Sequence, residues 1–280
     1  MSAFIVMLVL LAALLHASWN ALVKSGGAPE FTIASFQLFG GIISLCLVWF
    51  VPLPDPASWP YIFASVVVHN LYYMTMAQAY RAGDLSQVYP LFRGLAPVFV
   101  AIGALVFAKE YLDAGTVTGI VLISAGLMSI TLLGKHFGVI PKKALYWGLI
   151  TSVLIASYTI VDGIGVRLTD NPLSYIVWLF VFEFVPICTW LLLTQRQAWF
   201  NYISQSKAKI LFGGMASNGA YALVIFAMSL GAMAVVSSLR ETSVIFAALI
   251  GTLVLGEPFG RQRIIAALLV ALGIIIMRVW

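Results

Sequence analysis

The stretch "VYPLFRGLAPVFVAIGALVFAKE" at 88–110 sets Arg93 in a run otherwise fit for hydrocarbon, and "VSSLRETSVIFAALIGTLVLGE" at 236–257 does the same with Arg240. A guanidinium at membrane depth is costly unless it faces water, an anion or a buried acid. Its planar fork of donors suits bidentate capture of a carboxylate, phosphonate or sulfonate. Arg93 and Arg240 are therefore expected to line an aqueous cavity and to hold the anionic group of a small molecule. The alternative is a partner acid, Glu183 for either arginine or the adjacent Glu241 for Arg240. Residues i and i+1 do not share a helix face, which weighs against the last pairing.

Other polar groups fall into patterns. His16, Asn20 and Lys24 recur every four residues and so stack along one helix face, with Trp19 beside them. His16 is a candidate proton carrier, or, with Asn20, a hydrogen-bonding group joining helices; Lys24 is expected to snorkel to the interface. His69, Tyr73 and Tyr80 share a face of the third apolar segment, and rings with polar tips make walls for a small-molecule cavity. Glu183 stands in the middle of "YIVWLFVFEFVPICTW", where Pro186 is expected to break or bend the helix. Glu183, His16, Asp162 and Glu241 are the candidates for binding and releasing a proton, while Glu110 and Glu257 are expected to cap helices at the interface.

These groups sit in a chain that is 62% hydrophobic and 9% charged, whereas soluble domains carry about a quarter charged residues. Apolar segments of about 20 residues, the length that crosses a bilayer, number ten: 3–24, 31–51, 59–80, 86–108, 112–134, 144–166, 172–194, 209–230, 233–255 and 261–279. The first lacks a basic leader and a small-residue cleavage site, so it reads as a span and not as a secretory signal. Connectors are short; the longest, 195–208, offers Trp199 and Tyr202 to the membrane interface. Cys46 and Cys188 lie within apolar spans and imply neither a disulfide framework nor a metal site. The net charge of +5 is spread over loops, so nucleic acid is not an expected partner. Hydrolase, zinc-protease, CxxC and nucleotide-loop motifs are missing, and no cofactor or metal is expected.

A shift of 147 positions lays 93–110 over 240–257, matching Arg93 with Arg240, Phe99 with Phe246, Ala101 with Ala248 and Glu110 with Glu257; beyond it Gly126 falls on Gly273. A weaker echo at 139 sets Trp19 opposite Tyr158. The chain thus reads as five helices twice, over 1–136 and 142–280. Because five is odd, the second half begins on the opposite side of the membrane. The expected fold is an all-α integral membrane protein, ten transmembrane helices as two inverted five-helix repeats, with a site near the midplane between the halves. Candidate solute ligands there are Arg93, Arg240, Trp19, Asn20, His69, Tyr73 and Tyr158.

The Arg-to-Glu helix followed by a glycine-bearing span in each half (Arg93, Pro97, Glu110, Gly119 and Gly126; Arg240, Glu257 and Gly273), with "AYRAGDLSQVYPLFRGLAP" at 79–97, resembles the EamA-type proteins of the drug/metabolite transporter superfamily. The resemblance covers essentially the whole chain. Its length and "HASWN" start are similar to EamA-like proteins associated with phosphonate utilisation. The resemblance and the buried charges together imply a secondary transporter that moves a small polar, anionic or zwitterionic metabolite by alternating access, proton-coupled or by exchange. It is expected in a bacterial inner membrane, among lipid, as monomer or homodimer. An intramembrane enzyme acting on a lipid or lipid-linked substrate is the alternative; it needs His16, His69 and Glu183 to converge from separate helices.

Leaving aside Arg93 and Arg240, odd-numbered connectors hold ten cations (Lys24, Arg81, Lys135, Lys142, Lys143, Arg196, Lys207, Lys209, Arg261 and Arg263) and the even-numbered ones with the C-terminal end hold three (Lys109, Arg167 and Arg278). By the positive-inside rule both termini face away from the cytoplasm, whereas the resemblance implies both cytoplasmic. The charge count predicts a dark GFP fused after Trp280 and an active alkaline phosphatase at the same junction; bright GFP would overturn it.

Overall fold

Helix α1 (Ala3–Lys24) buries Val9, Ala12, Ala13 and Ala17 completely and exposes Phe4, Met7, Leu11 and Leu14. Small residues let neighbouring helices approach closely, and large apolar ones facing outward fit a lipid-facing surface. The chain continues as α2 (Pro29–Leu47), α3 (Trp59–Ala82), α4 (Leu85–Ala108), α5 (Ala114–Leu132), α6 (Lys142–Val166), α7 (Pro172–Thr194), α8 (Arg196–Gln205), α9 (Lys207–Leu230), α10 (Met233–Arg240), α11 (Ser243–Leu253) and α12 (Arg261–Val279). This computed structural model describes residues 2–24, 28–83, 85–132, 140–253 and 261–279, with no strand among them. The side chains of Lys24 and Tyr80, Glu257, and residues 133–136 closing the first proposed half lie outside the described residues.

Helix starts follow local chemistry. Pro172 opens α7 while Asn171 accepts a hydrogen bond from the Leu173 N–H at 3.0 Å, and Asp113 accepts from the Thr116 N–H at 2.8 Å ahead of α5.

The spans are α1 to α7, α9, α10 with α11 as one, and α12, ten in two inverted five-helix repeats. Among the described residues seven helices are long and apolar enough to cross a membrane on that measure alone. Helix α3 is diluted by His69, Asn70 and Arg81, and the ninth span is interrupted between α10 and α11. At that interruption the Glu241 N–H donates to Ser238 O at 3.1 Å and the Thr242 N–H to Leu239 O at 3.0 Å, a three-residue spacing tighter than an α-turn. Helix α7, by contrast, runs without a break through Pro186, as membrane helices can when neighbours stabilise the freed carbonyl.

The packing repeats on exchange of the halves. Helix α5 lies along α12 and α2 along α7, each joining equivalent helices; α3 against α6 is matched by α9 against α1, and α4 against α6 by α11 against α1. The relation holds at residue level. A Cβ on Gly119 would stand 2.6 Å from Gly273 O, and one on Gly126 would stand 3.1 Å from Ala266 O. The shift of 147 positions carries Gly119 onto Ala266 and Gly126 onto Gly273, so the two contacts exchange. With an odd number of spans per half, the pseudo-twofold axis lies in the membrane plane.

The connector expected at the interface is the short helix α8. Trp199 is 1% exposed and turns inward, its indole N–H donating to Ser35 Oγ at 2.9 Å, because α2 offers both an apolar surface and an acceptor. Tyr202 shares a hydrogen bond with the Thr32 hydroxyl at 2.7 Å.

Gly273→Ala places a methyl 2.7 Å from Gly119 O. Overpacking of about 1–3 kcal/mol should lower the melting temperature in detergent by roughly 2–12 °C. Gly219→Ala, whose Cβ meets nothing nearer than Leu15 Cδ1 at 3.7 Å, should not lower it. Equal behaviour of the two variants would refute the close α5–α12 contact.

Candidate solute cavity and its buried charges

A cavity of about 50 Å³ lies between the halves, room for roughly four waters. Its wall takes His16, Trp19, Gln37, His69, Tyr72 and Tyr73 from the first half and Tyr158, Phe180, Glu183, Asn218, Tyr221 and Arg240 from the second. Glu183 is eleven residues from either end of α7, about 16 Å at 1.5 Å per residue, which is the middle of a hydrocarbon layer about 30 Å thick.

Two donors converge on one oxygen of Glu183. Gln37 Nε2 donates to Oε1 at 2.9 Å and the Tyr73 hydroxyl donates to the same atom at 2.8 Å, while Gln37 also touches Tyr73. Asn70 Nδ2 reaches the Glu183 backbone carbonyl at 3.4 Å. Beside them the His69 ring stacks on Tyr158, centroids 4.1 Å apart, and meets Tyr221 edge-on at 5.1 Å. His69 Nδ1 is held by Ser65, 3.0 Å from its hydroxyl and 3.1 Å from its carbonyl. Asp162 is fully buried behind this wall: Tyr175 donates to Oδ1 at 2.9 Å and Tyr221 donates to Oδ2.

The two arginines are 2% exposed each but differently compensated. Arg93 Nε stands 2.9 Å from Glu241 Oε2, and Nη2 is 3.4 Å from Ser243 Oγ. The approach to Glu241 is a charge contact more than a directed hydrogen bond, since neither Arg93 Nε nor the Glu241 oxygens make one. Arg240 has the Tyr158 hydroxyl within reach, yet Nε and Nη2 have no partner. The repeat supplies the reason: its shift carries Glu241 onto Gly94 and Ser243 onto Ala96. Where Arg93 faces an acid and a hydroxyl of the other half, the positions equivalent to these carry nothing that accepts a hydrogen bond from Arg240.

Of the residues singled out from the sequence, His16, Trp19, His69, Tyr73, Tyr158, Glu183 and Arg240 meet in one cavity wall. Arg93 is not in that wall; its partner is Glu241, and Glu183 is engaged by Gln37 and Tyr73 instead. Asp162 connects to the cavity through Tyr221, and Asn20 folds its amide back onto His16 O at 2.8 Å. Gln37, Tyr72, Asn218 and Tyr221 were not legible as site residues. Of these, Asn218 had a signal: it is the one amide in the small-residue run "GGMASNGA", which otherwise packs on α2 through Gly213 and Gly214. Among the described residues no three of His, Cys, Asp and Glu are grouped to hold a metal ion.

Inverted halves around a midplane cavity that carries unpaired charge define the architecture of a membrane transporter. The chain belongs to the EamA-like transporter family, whose profile matches residues 3–132 and again 142–279, and so to the drug/metabolite transporter superfamily. One solved structure, described only as "Crystal structure of protein", is similar in fold: TM-score 0.79 at 15% identity, over 99% of this chain and 96% of that one. No curated protein matches the sequence.

Breaking the Arg93–Glu241 pair strands a buried charge, at a cost of about 3–5 kcal/mol. Arg93→Met and Glu241→Gln should each destabilise the protein by that order, and the double variant by clearly less than the two combined. Additive losses in thermal or denaturant unfolding would show that the two charges are not coupled.

Proposed function

We propose that the protein is a secondary active transporter that moves a small polar solute bearing an anionic group, anionic or zwitterionic overall, by alternating access of its two halves. The observation that carries this reading is Arg240: buried at the cavity wall, with Nε and Nη2 unpartnered. A carboxylate, phosphonate or sulfonate would complete both donors at once. Arg93, already opposed by Glu241, acts as a second, masked guanidinium that becomes available to the solute if the halves separate. Glu183 is the leading proton-coupling group because it shares the cavity with Arg240; His16 lines the same wall, with Asp162 and Glu241 behind it. Coupling is to protons or to a counter-solute, and the setting is a bacterial inner membrane. The similarity of the "HASWN" start to phosphonate-associated proteins brings phosphonates into the candidate solutes.

The test is uptake and counterflow in proteoliposomes with amino acids, organic acids, sulfonates and phosphonates, with and without a pH gradient. Uptake of at least one anion-bearing solute is expected, reduced at least tenfold by Arg240→Gln, a loss of about 1.4 kcal/mol in binding or more, with melting temperature close to the parent's. Parental uptake by Arg240→Gln would sink the assignment. Stimulation by a pH gradient that disappears in Glu183→Gln would support proton coupling; a gradient effect that persists there would move that role to another residue.

A further inference from the structure

The cavity wall contains one arginine, Arg240, and one acid, Glu183, among its described residues. They make no ion pair with one another. Arg240 looks for acceptors through Nε and Nη2, and Glu183 receives both of its donors, from Gln37 and Tyr73, on Oε1. That arrangement fixes the carboxyl plane and leaves Oε2 without a donor. Close by, Arg93 and Glu241 cancel each other, so they add no net charge to the site.

Two opposite charges held apart in one small, water-poor space set a condition on the occupant. A simple anion would satisfy Arg240 and leave Glu183 to be neutralised by a proton; a simple amine would satisfy Glu183 and leave Nε and Nη2 of Arg240 unmet, a residual charge that is costly at this depth. A molecule that carries both charges, in the reverse order, satisfies each. The rings agree with this: Tyr73, which donates to Glu183, stands beside His69, and His69 in turn meets Tyr221 edge-on in the same wall, and aromatic faces attract an ammonium group.

Resting on the transporter reading above, we propose that the solute is a small zwitterion, with its carboxylate, sulfonate or phosphonate on Arg240 and its ammonium group between Glu183 Oε2 and the tyrosine rings. A cavity of about 50 Å³ favours molecules of a few heavy atoms. The carboxyl of Glu183 then has two interchangeable occupants, a proton or the ammonium of the solute, so loading the solute and holding a proton there exclude one another.

The experiment uses the full-length protein in nanodiscs and matched probes: glycine, β-alanine and taurine, each against its analogue lacking the amine (acetate, propionate, ethanesulfonate) and, for the amino acids, against methylamine and ethylamine. Affinity is read by calorimetry or by ligand-induced thermal shift. The expected result is that at least one zwitterion binds tenfold or more tightly than both kinds of analogue. Glu183→Gln should then shrink the ratio between that zwitterion and its deaminated analogue at least tenfold, in a protein whose unliganded melting temperature matches the parent's. If that variant melts early, Tyr73→Phe, which removes one donor to Oε1, serves the same comparison. Anions binding as tightly as their zwitterions overturn the inference while leaving an anion transporter intact. No zwitterion binding better than its analogues overturns it as well, and failure of Arg240→Gln to weaken any probe removes the transporter assignment beneath it.

Discussion

A full charge in a region without water must be compensated, and this molecule compensates its two intramembrane arginines unequally. Arg93 has Glu241 and Ser243 across the interface between halves; Arg240, its counterpart by repeat, has at the exchanged positions Gly94 and Ala96. The inverted repeat therefore accounts for the placement of both cations, and a departure from the repeat accounts for the one left unsatisfied. A neutral, fully paired interior could be made more stable with apolar residues, and the two unmet donors of Arg240 in the wall are the observation on which the proposed solute site rests.

The scaffold keeps that wall open by closing elsewhere. Close packing is concentrated where equivalent helices meet. On α5 and α12 it uses Gly119, Gly126 and Gly273; between α2 and α7 a Cβ on Gly41 would stand 2.0 Å from a Phe184 ring carbon. At one membrane face Glu110 accepts from the Met233 N–H at 3.0 Å and pairs with Arg167 at 2.6 Å. Arg167 in turn donates to Met228 O at 2.9 Å. One ion pair so joins the ends of α4, α6 and α9 to the start of α10, capping groups that would otherwise be unsatisfied. The polar interior is left to α1, α2, α3, α6, α7, α9 and α10, and the tyrosine and histidine rings fill it without demanding charge.

Much of the site was legible because ionisable residues in apolar runs are rare enough to be conspicuous. Arg240, Glu183, His16 and His69 all stood out that way and all reached one cavity wall. Gln37, Asn218 and Tyr221 did not, since a single uncharged polar group in a membrane helix is cheap and common. Yet Gln37 orients Glu183 and Tyr221 ties Asp162 to the wall.

The sequence by itself determined the number of spans, the twofold repetition and, through the odd count of five, the inversion of one half against the other. These are one-dimensional properties, since hydrophobic length and periodicity are carried by neighbours along the chain. Only the tertiary structure decided which acid opposes which arginine. Glu241 adjoins Arg240 in sequence but projects from another face of the turn and meets Arg93 instead. Glu183, which could have served either guanidinium, is held by Gln37 and Tyr73. Such pairings depend on the packing of helices far apart in the chain, because electrostatic compensation acts over a few ångströms of space and is blind to separation in sequence.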